Sequence, residues 1–173
     1  MKNKYLQLLI VSNFLILLDQ ITKFWVALHV PKHYSISVIE GFFSITHIRN
    51  PGVAFGLFAT VQNEYKVLFF IIISLIAIVA ILIIFHQSPD DKRMVRVGLI
   101  LIFSGAVGNL IDRILHKEVI DFLDFYYKGS HWPAFNVADS CITIGVSFMI
   151  YDIFFGYPEV ADSSKVSSKT LKN

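Results

Sequence analysis

The segment Val67–Phe85 constrains the fold most, because it contains nineteen consecutive residues without a charged side chain. An α-helix rises about 1.5 Å per residue, so this segment would be about 29 Å long as a helix. The hydrocarbon core of a bilayer is about 30 Å thick. The segment therefore predicts a membrane-spanning helix.

The overall composition is typical of a membrane protein. Of the 173 residues, 55% are hydrophobic and only 16% are charged, whereas soluble domains carry about 25% charged residues. The formal net charge of +2 is too small, and the basic residues are too scattered, to indicate nucleic-acid binding. The length suits one domain, which we place at residues 1–157, followed by a polar cytoplasmic tail at 158–173.

Three further spans are predicted, and each contains charged residues. The first includes Asp19 and Lys23, and its alternative is a cleavable signal peptide, because Lys2 and Lys4 precede an apolar core. No small-x-small cleavage site follows, so we expect a retained helix. The chain is therefore predicted to be an all-α membrane protein with four transmembrane helices. These are expected at about residues 5–28, 67–85, 95–114 and 135–155.

The orientation of the spans follows from the positive charges in the loops. Eight lie in short segments on one side, and five lie in two longer loops on the other side. Because positive charges concentrate on the cytoplasmic side, both termini are predicted to be cytoplasmic. The eight are Lys2, Lys4, Lys92, Arg93, Arg96, Lys165, Lys169 and Lys172.

The two external loops contain many apolar residues, and we expect them to pack over the outer ends of the helices. Residues 35–38 and 43–46 alternate between polar and apolar side chains around Glu40-Gly41, which predicts a small β-rich loop. Residues 119–127 are apolar and aromatic, which favours a helix-like segment in the membrane interface.

Four carboxylates from distant positions are predicted to lie at one depth near the outer leaflet. A charged side chain costs about 2.5–3.5 kcal/mol at the bilayer centre, so such residues indicate a functional site. The span 67–85 contributes no acid and is interpreted as a lipid-facing anchor. The four carboxylates are those of Asp19, Asp112, Asp121 and Asp139.

The residue types favour acid–base chemistry by paired carboxylates. The sequence contains no H-E-x-x-H, G-x-S-x-G or P-loop motif, and its six histidines lack ligand spacing, so no metal site is expected. Two facing carboxylates share a proton and can activate water while protonating a leaving amine. Asp139 is the strongest candidate, and from the residues alone its partner is either Asp112 or Asp121.

Five short blocks occur in order between residues 19 and 140. They are D-Q-I-T-K (19–23), N-P-G-V-A-F-G (50–56), G-N-L-I-D-R (108–113), V-I-D-F (119–122) and F-N-V-A-D-S (135–140). Each block is weak alone. The ordered set, placed on four predicted spans, resembles the lipoprotein signal peptidases, also called signal peptidase II.

This resemblance implies an aspartyl endopeptidase of the bacterial cytoplasmic membrane, with its site towards the extracytoplasmic face. Its substrates would be diacylglyceryl-modified prolipoproteins, cut just before the lipidated cysteine. The catalytic dyad of the family maps onto Asp121 and Asp139. We expect membrane lipid as a further partner, no nucleic acid, no cofactor, and a monomer.

Several neighbouring residues are predicted to support this site or bind substrate. Asn109 and Asn136 each precede an acid by three residues, which places each pair on one helix face. Asn50 lies beside a turn, where Gly52 allows close approach of the backbone. The resemblance places Asn50 at the substrate.

Three charged residues have structural interpretations as well. Arg113 can bind peptide carbonyls or pair with Asp112. Asp19 and Lys23 are four residues apart and can form an ion pair within one helix, so we expect them to play a structural role.

The main alternative function is a proton-coupled membrane transporter, because intramembrane carboxylates also relay protons. A transporter would need acids along a path through the bilayer. Asp152 is the one acid within a predicted span near the inner side.

Overall fold

The computed structural model describes residues 2–52 and 63–155. The predicted tail at 158–173 and residues 53–56 of the second block lie outside the described residues. In chain order, the elements are α1 (Lys2–His29), β1 (Ser35–Ile39), β2 (Phe43–Asn50), α2 (Asn63–Gln87), α3 (Arg93–His116), β3 (Val119–Tyr127), β4 (Ser130–His131) and α4 (Val137–Phe155).

Four helices of the described chain are long and apolar enough to cross a membrane, as predicted. Each has large apolar side chains on its outer surface, and α2 is the most exposed of them. A helix with an apolar outer surface is suited to lipid rather than water. The α4 helix begins two residues later than predicted, because Phe135 pairs with β3 and Asn136 caps the helix.

The α3 helix packs against each of the other three helices. Its contact with α2 is an apolar cluster of Ile81, Phe85, Leu99 and Ile100. Its contact with α4 depends on Gly105, since a Cβ there would overlap the backbone carbonyl of Ala138. This close approach brings the middle of α3 against the first turn of α4.

The strands of the described residues form an antiparallel sheet in the order β1-β2-β3-β4. The predicted hairpin is confirmed as β1 and β2, which pair through Ser35 with Thr46 and Ser37 with Ser44. The sheet packs on the end of α1 through a buried cluster of Val26, Val30, Ile120 and Phe122.

The helix-like segment predicted for residues 119–127 is wrong, because these residues form strand β3. Its β-branched and aromatic side chains favour a strand, and β2 offers an edge to which it pairs. The end of α1 covers Ile120 and Phe122. The apolar character that suggested a membrane interface therefore reflects burial between a sheet and a helix.

A β-bulge lies beside Asp121 in the pairing of β2 with β3. Ile45 pairs with Leu123 and Ile48 pairs with Asp121, so two residues of β2 oppose one residue of β3. Such bulges bend a strand and redirect its side chains, and they are common next to active sites. One of the two bulged residues, His47, is buried and hydrogen-bonds through Nδ1 to the Val30 carbonyl at 2.7 Å.

Candidate active site

Asp121 is a buried carboxylate on β3, with 2% of its surface exposed. Asn50, at the end of β2, donates from Nδ2 to Oδ2 of Asp121 at 2.9 Å. Asn136 donates from Nδ2 to its other oxygen, Oδ1, at 2.8 Å. Both carboxylate oxygens are therefore held by amide donors from different parts of the chain.

Asp139 lies in the first turn of α4 and is partly exposed. Its backbone N–H donates to Oδ1 of Asn136 at 2.9 Å, while the Asn136 N–H donates to Oδ2 of Asp139 at 3.3 Å. This reciprocal pair is a capping box, which satisfies two free N–H groups at the start of the helix. Asn109 of α3 donates from Nδ2 to Oδ1 of Asp139 at 2.7 Å.

Asn136 connects the two carboxylates directly. Its side chain donates to Asp121, and its backbone N–H donates to Asp139. The residue is completely buried. The cap of α4 therefore fixes the position of one acid and reaches the other acid on the neighbouring strand.

The three asparagines that surround these acids have defined amide orientations. Each side-chain oxygen faces a group that can only donate: the Lys23 ammonium for Asn109, the Asp139 N–H for Asn136, and the Gly52 N–H for Asn50. The oxygen of an amide must face such a donor, so its NH₂ group must point the other way. All three NH₂ groups consequently point at Asp121 or Asp139.

The predicted pair of Asp19 and Lys23 is part of a larger buried network. The Lys23 ammonium lies 2.8 Å from Asp19 and 3.0 Å from Asp112, and it donates to Asn109 Oδ1 at 3.0 Å. These three partners match its three N–H donors. Gln20 joins the network by donating to both carboxylates.

Asp19 and Asp112 each bind the backbone next to a candidate catalytic acid. Asp112 Oδ2 accepts the N–H of Ile120 at 3.1 Å, and Asp19 Oδ1 accepts the N–H of Ala138 at 2.9 Å. Ile120 directly precedes Asp121, and Ala138 directly precedes Asp139. The two buried acids thus position the chain at both candidate residues.

Arg113 lies at the same end of α3, but it does not form the pair with Asp112 that the sequence suggested. In the described residues Asp112 pairs with Lys23 instead. Arg113 donates to the Asn109 carbonyl at 3.3 Å, and its guanidinium lies 5.6 Å from the centre of the Phe70 ring. The other prediction for Arg113, contact with peptide carbonyls, stays a prediction.

Gly52 lies two residues after Asn50 and packs against the Phe70 ring of α2. Its φ of +85° is a conformation that side chains with a Cβ rarely adopt, and an added Cβ would overlap the Phe70 ring. Phe70 therefore links α2 to the loop of Asn50 and to Arg113. The interpretation of α2 as only a lipid-facing anchor missed this residue, since an aromatic within an apolar run gives no signal in the sequence.

The electrostatics distinguish Asp121 from an ordinary surface carboxylate. Burial, together with the negative charge of Asp139, raises the pKa of Asp121 from 3.8 to about 6. The hydrogen bonds from Asn50 and Asn136 act in the opposite direction, because they stabilise the ionised form. Asp121 can therefore exchange a proton close to neutral pH.

The family is decided by comparison with known proteins. Residues 11–155 match the family model described as signal peptidase (SPase) II. The chain belongs to the signal peptidase II family. It is 50% identical to a lipoprotein signal peptidase of Desulforapulum autotrophicum over 149 residues, covering 86% of this chain and 92% of that protein. It is 48% identical to one of Syntrophus aciditrophicus over 153 residues, covering 88% and 95%.

Two solved structures share the fold, and both are described as bacterial membrane enzymes. The first, solved at 2.3 Å resolution, is 36% identical with a TM-score of 0.76, covering 86% of this chain and 87% of that one. The second, solved at 1.9 Å, is 33% identical with a TM-score of 0.77, covering 87% and 94%. The chain therefore resembles these enzymes in the arrangement of its helices and sheet as well as in its sequence.

The structure gathers all of the sequence-predicted site residues into one connected region at one end of the helices. Asp124, three residues after Asp121, is separate from it and pairs with His131 at 2.9 Å. Gln20 and Phe70 are the site residues that sequence reasoning missed. Gln20 lies inside the first family block, which is the signal that could have identified it.

Proposed function

We propose that this chain is a membrane aspartic endopeptidase in which Asp121 and Asp139 are the catalytic pair. The observation that carries the proposal is that one residue, Asn136, donates hydrogen bonds to both carboxylates. Asp139 also contributes to the raised pKa of Asp121, so the two charges interact. Two neighbouring carboxylates are more stable when they share one proton than when both are ionised.

The chemistry follows from this shared proton. One carboxylate takes a proton from water as the water oxygen attacks the scissile carbonyl carbon, and the other protonates the carbonyl oxygen. A proton then passes to the amide nitrogen, the C–N bond breaks, and an amine and a carboxylic acid are released. A pKa of about 6 suits Asp121 to exchange protons in both steps near neutral pH.

The substrates we propose are diacylglyceryl-modified prolipoproteins, cut before the lipidated cysteine. Support comes from the family and from the relatives, which are named lipoprotein signal peptidases. The lipid anchor of the substrate would reach a site at the end of the helices through the bilayer. The substrate peptide would reach it along the sheet. Arg113 is suited to peptide carbonyls, since within the described residues its bond to the Asn109 carbonyl uses one of its five N–H donors.

The proposed placement is the bacterial inner membrane, with both termini cytoplasmic and the catalytic pair towards the extracytoplasmic face. The charge distribution supports this orientation, because Lys92 in the loop between α2 and α3 is followed by Arg93 and Arg96 in the first turn of α3. Both candidate acids lie at the opposite end of α3 from that loop. We further propose that a single copy suffices, since all of the site residues come from one chain.

The test uses purified full-length protein and one prolipoprotein prepared with and without the diacylglyceryl group. Wild-type protein should cleave only the lipidated form, and a metal chelator should leave the rate unchanged. Asp121→Asn and Asp139→Asn should each abolish cleavage. Both variants should still show the thermal unfolding transition of a folded protein. Full activity in either variant would overturn the proposed pair, and equal cleavage of the unlipidated form would overturn the proposed substrate.

The same test separates a peptidase from a proton-coupled transporter. A transporter would acidify or alkalise the lumen of a proteoliposome in response to a solute gradient and would leave the prolipoprotein intact. Arg96→Gln serves as the activity control in both assays, because Arg96 lies at the opposite end of α3 from the proposed pair.

A further inference from the structure

A cavity of about 500 Å³ opens at the end of the bundle opposite the proposed catalytic pair. The described residues that line it include three cationic side chains: Lys4 from α1, and Arg93 and Arg96 from the first turn of α3. Gln7 adds a neutral polar group, and Val97 and Ile100 form an apolar part of the wall. The lining therefore combines positive charge with an apolar surface.

Among the described lining residues the one acid is Asp90, which only weakly offsets the cations. One Asp90 oxygen lies 3.5 Å from Arg96 Nη1, and the Asp90 side chain is 60% exposed. A pair at this distance with one strongly exposed partner contributes little stability. An anion of higher charge density can therefore compete with Asp90 for Arg96.

Lys4 retains hydrogen-bonding capacity in the cavity. Its ammonium donates to the carbonyls of His86 and Ser88, each at 3.1 Å. These bonds fix the ammonium at the junction of α1 with the end of α2, and within the described part of the chain they use two of its three N–H donors. Nearby Lys92 differs, since it lines no part of this cavity and pairs with Asp152 at 3.0 Å.

A second cavity, of about 440 Å³, lies further along the same two helices, α1 and α3. The first cavity involves residues 4–7 and 93–100, and the second involves residues 5–16 and 103–107. The walls of the second are mainly apolar and include Leu9, Ile16 and Phe103. Its extent along α1 is about 16 Å, which is half the thickness of the hydrocarbon core and thus the depth of one leaflet.

We propose that the two cavities together form a binding site for an anionic phospholipid. The phosphate would contact Lys4, Arg93 and Arg96, and an acyl chain would follow the apolar seam between α1 and α3. Basic pockets between transmembrane helices on the cytoplasmic side suit anionic headgroups. A free phosphate ion would use only the first cavity, so the apolar seam favours the lipid. This site is separate from Asp121 and Asp139.

The experiment measures lipid binding to the purified full-length protein by native mass spectrometry. Phosphatidylglycerol and phosphatidylcholine with identical acyl chains are titrated in parallel. The expected result is preferential retention of phosphatidylglycerol. Arg93→Gln/Arg96→Gln should weaken it about 25-fold, or about fivefold for each cation removed. The matched control, Lys32→Gln/Lys128→Gln, loses the same charge from exposed positions of the external loops and should keep wild-type retention.

Two further arms separate a phospholipid from free phosphate. Leu9→Trp would fill the apolar seam at an exposed position, so it should weaken phosphatidylglycerol binding without changing stabilisation by inorganic phosphate. The proposal is overturned if the two charge variants lose lipid equally, or if phosphatidylcholine binds as tightly as phosphatidylglycerol. It is also overturned if millimolar phosphate displaces the lipid while Leu9→Trp has no effect, since that result describes a phosphate site.

Discussion

Asp112 accepts a hydrogen bond from the backbone N–H of Ile120 at 3.1 Å, and its same oxygen lies 3.0 Å from the Lys23 ammonium. One carboxylate oxygen thus joins α1 to the residue that precedes Asp121. This arrangement explains how a fixed helix bundle can define the position of an acid on a strand. It also assigns Asp112 a positioning role, which the sequence alone left open.

Asp112→Asn is predicted to destabilise the protein and reduce cleavage. Lys23 would keep Asp19 as a partner but would lose the second of the two buried carboxylates that neutralise its charge. The free energy of unfolding should therefore fall by about 2–3 kcal/mol. Chemical denaturation and initial cleavage rates measure the two effects. Asp152→Asn is the control, because its pair with Lys92 is partly exposed and should contribute about 1 kcal/mol or less. Equal effects in both variants would contradict the buried network.

Asn109→Ala is predicted to lower the cleavage rate about 10- to 100-fold. The variant removes a hydrogen bond to a charged group, which is worth about 1.5–3 kcal/mol, and so leaves Asp139 less well positioned. Single-turnover kinetics measure the change. Asn13→Ala provides the comparison, since Asn13 is exposed on α1 and, among the described residues, donates to the Leu9 carbonyl of its own helix. A rate loss as large in Asn13→Ala would argue against a specific role for Asn109.

Asn50→Ala is predicted to shift the pH dependence of cleavage upward by about one unit. The Asn50 hydrogen bond stabilises ionised Asp121 and so lowers its pKa, which burial otherwise raises. Without that bond the pKa of Asp121 should rise above about 6, since one unit corresponds to about 1.4 kcal/mol. The measurement is the pH profile of kcat/KM. Ser35→Ala, which removes a bond to Thr46 elsewhere in the sheet, should leave the profile unchanged.

Gly52→Ala is predicted to lower kcat/KM at least about 10-fold, because the new methyl group must displace the Phe70 ring and a displacement of about 1 Å can cost 100-fold in rate. Gly129→Ala is a close control. Gly129 has a similar φ of +80°, but an added Cβ there meets open space. Both variants carry backbone strain of about 1–2 kcal/mol, so a difference in activity isolates the contact with Phe70. Equal activity would mean that this contact does not position the site.

The four spans could be predicted from the sequence because each is a long apolar run, and apolar length is a local property. The hairpin was also local, since alternation and the Glu40-Gly41 turn lie within a few residues. Strand β3 could not be predicted in the same way. Its residues are equally suited to a membrane interface, and only pairing with β2 and packing on Val26 and Val30 determine its structure.

The site residues were identified from ordered motifs, whereas their connections were not. Asp112 and Arg113 are adjacent in the sequence, which suggested a pair, yet neighbours on a helix point about 100° apart. Lys23 lies nearly ninety residues away and is the actual partner of Asp112. Contacts between distant segments depend on how α1 and α3 pack, and a single sequence contains no direct record of that packing.

The oriented asparagines also affect how protons reach the proposed catalytic pair. Carboxamides neither gain nor lose protons in the working pH range, so Asn50, Asn109 and Asn136 bind the acids without relaying protons between them and the interior. Behind Asn109, the Lys23 ammonium is already saturated by its three partners. In the described residues, Asp121 and Asp139 thus contact non-titrating amide groups on their buried side, and the partly exposed Asp139 is the member of the proposed pair that water can reach. A peptidase built in this way can hold ionisable groups within a membrane without giving protons a path across it.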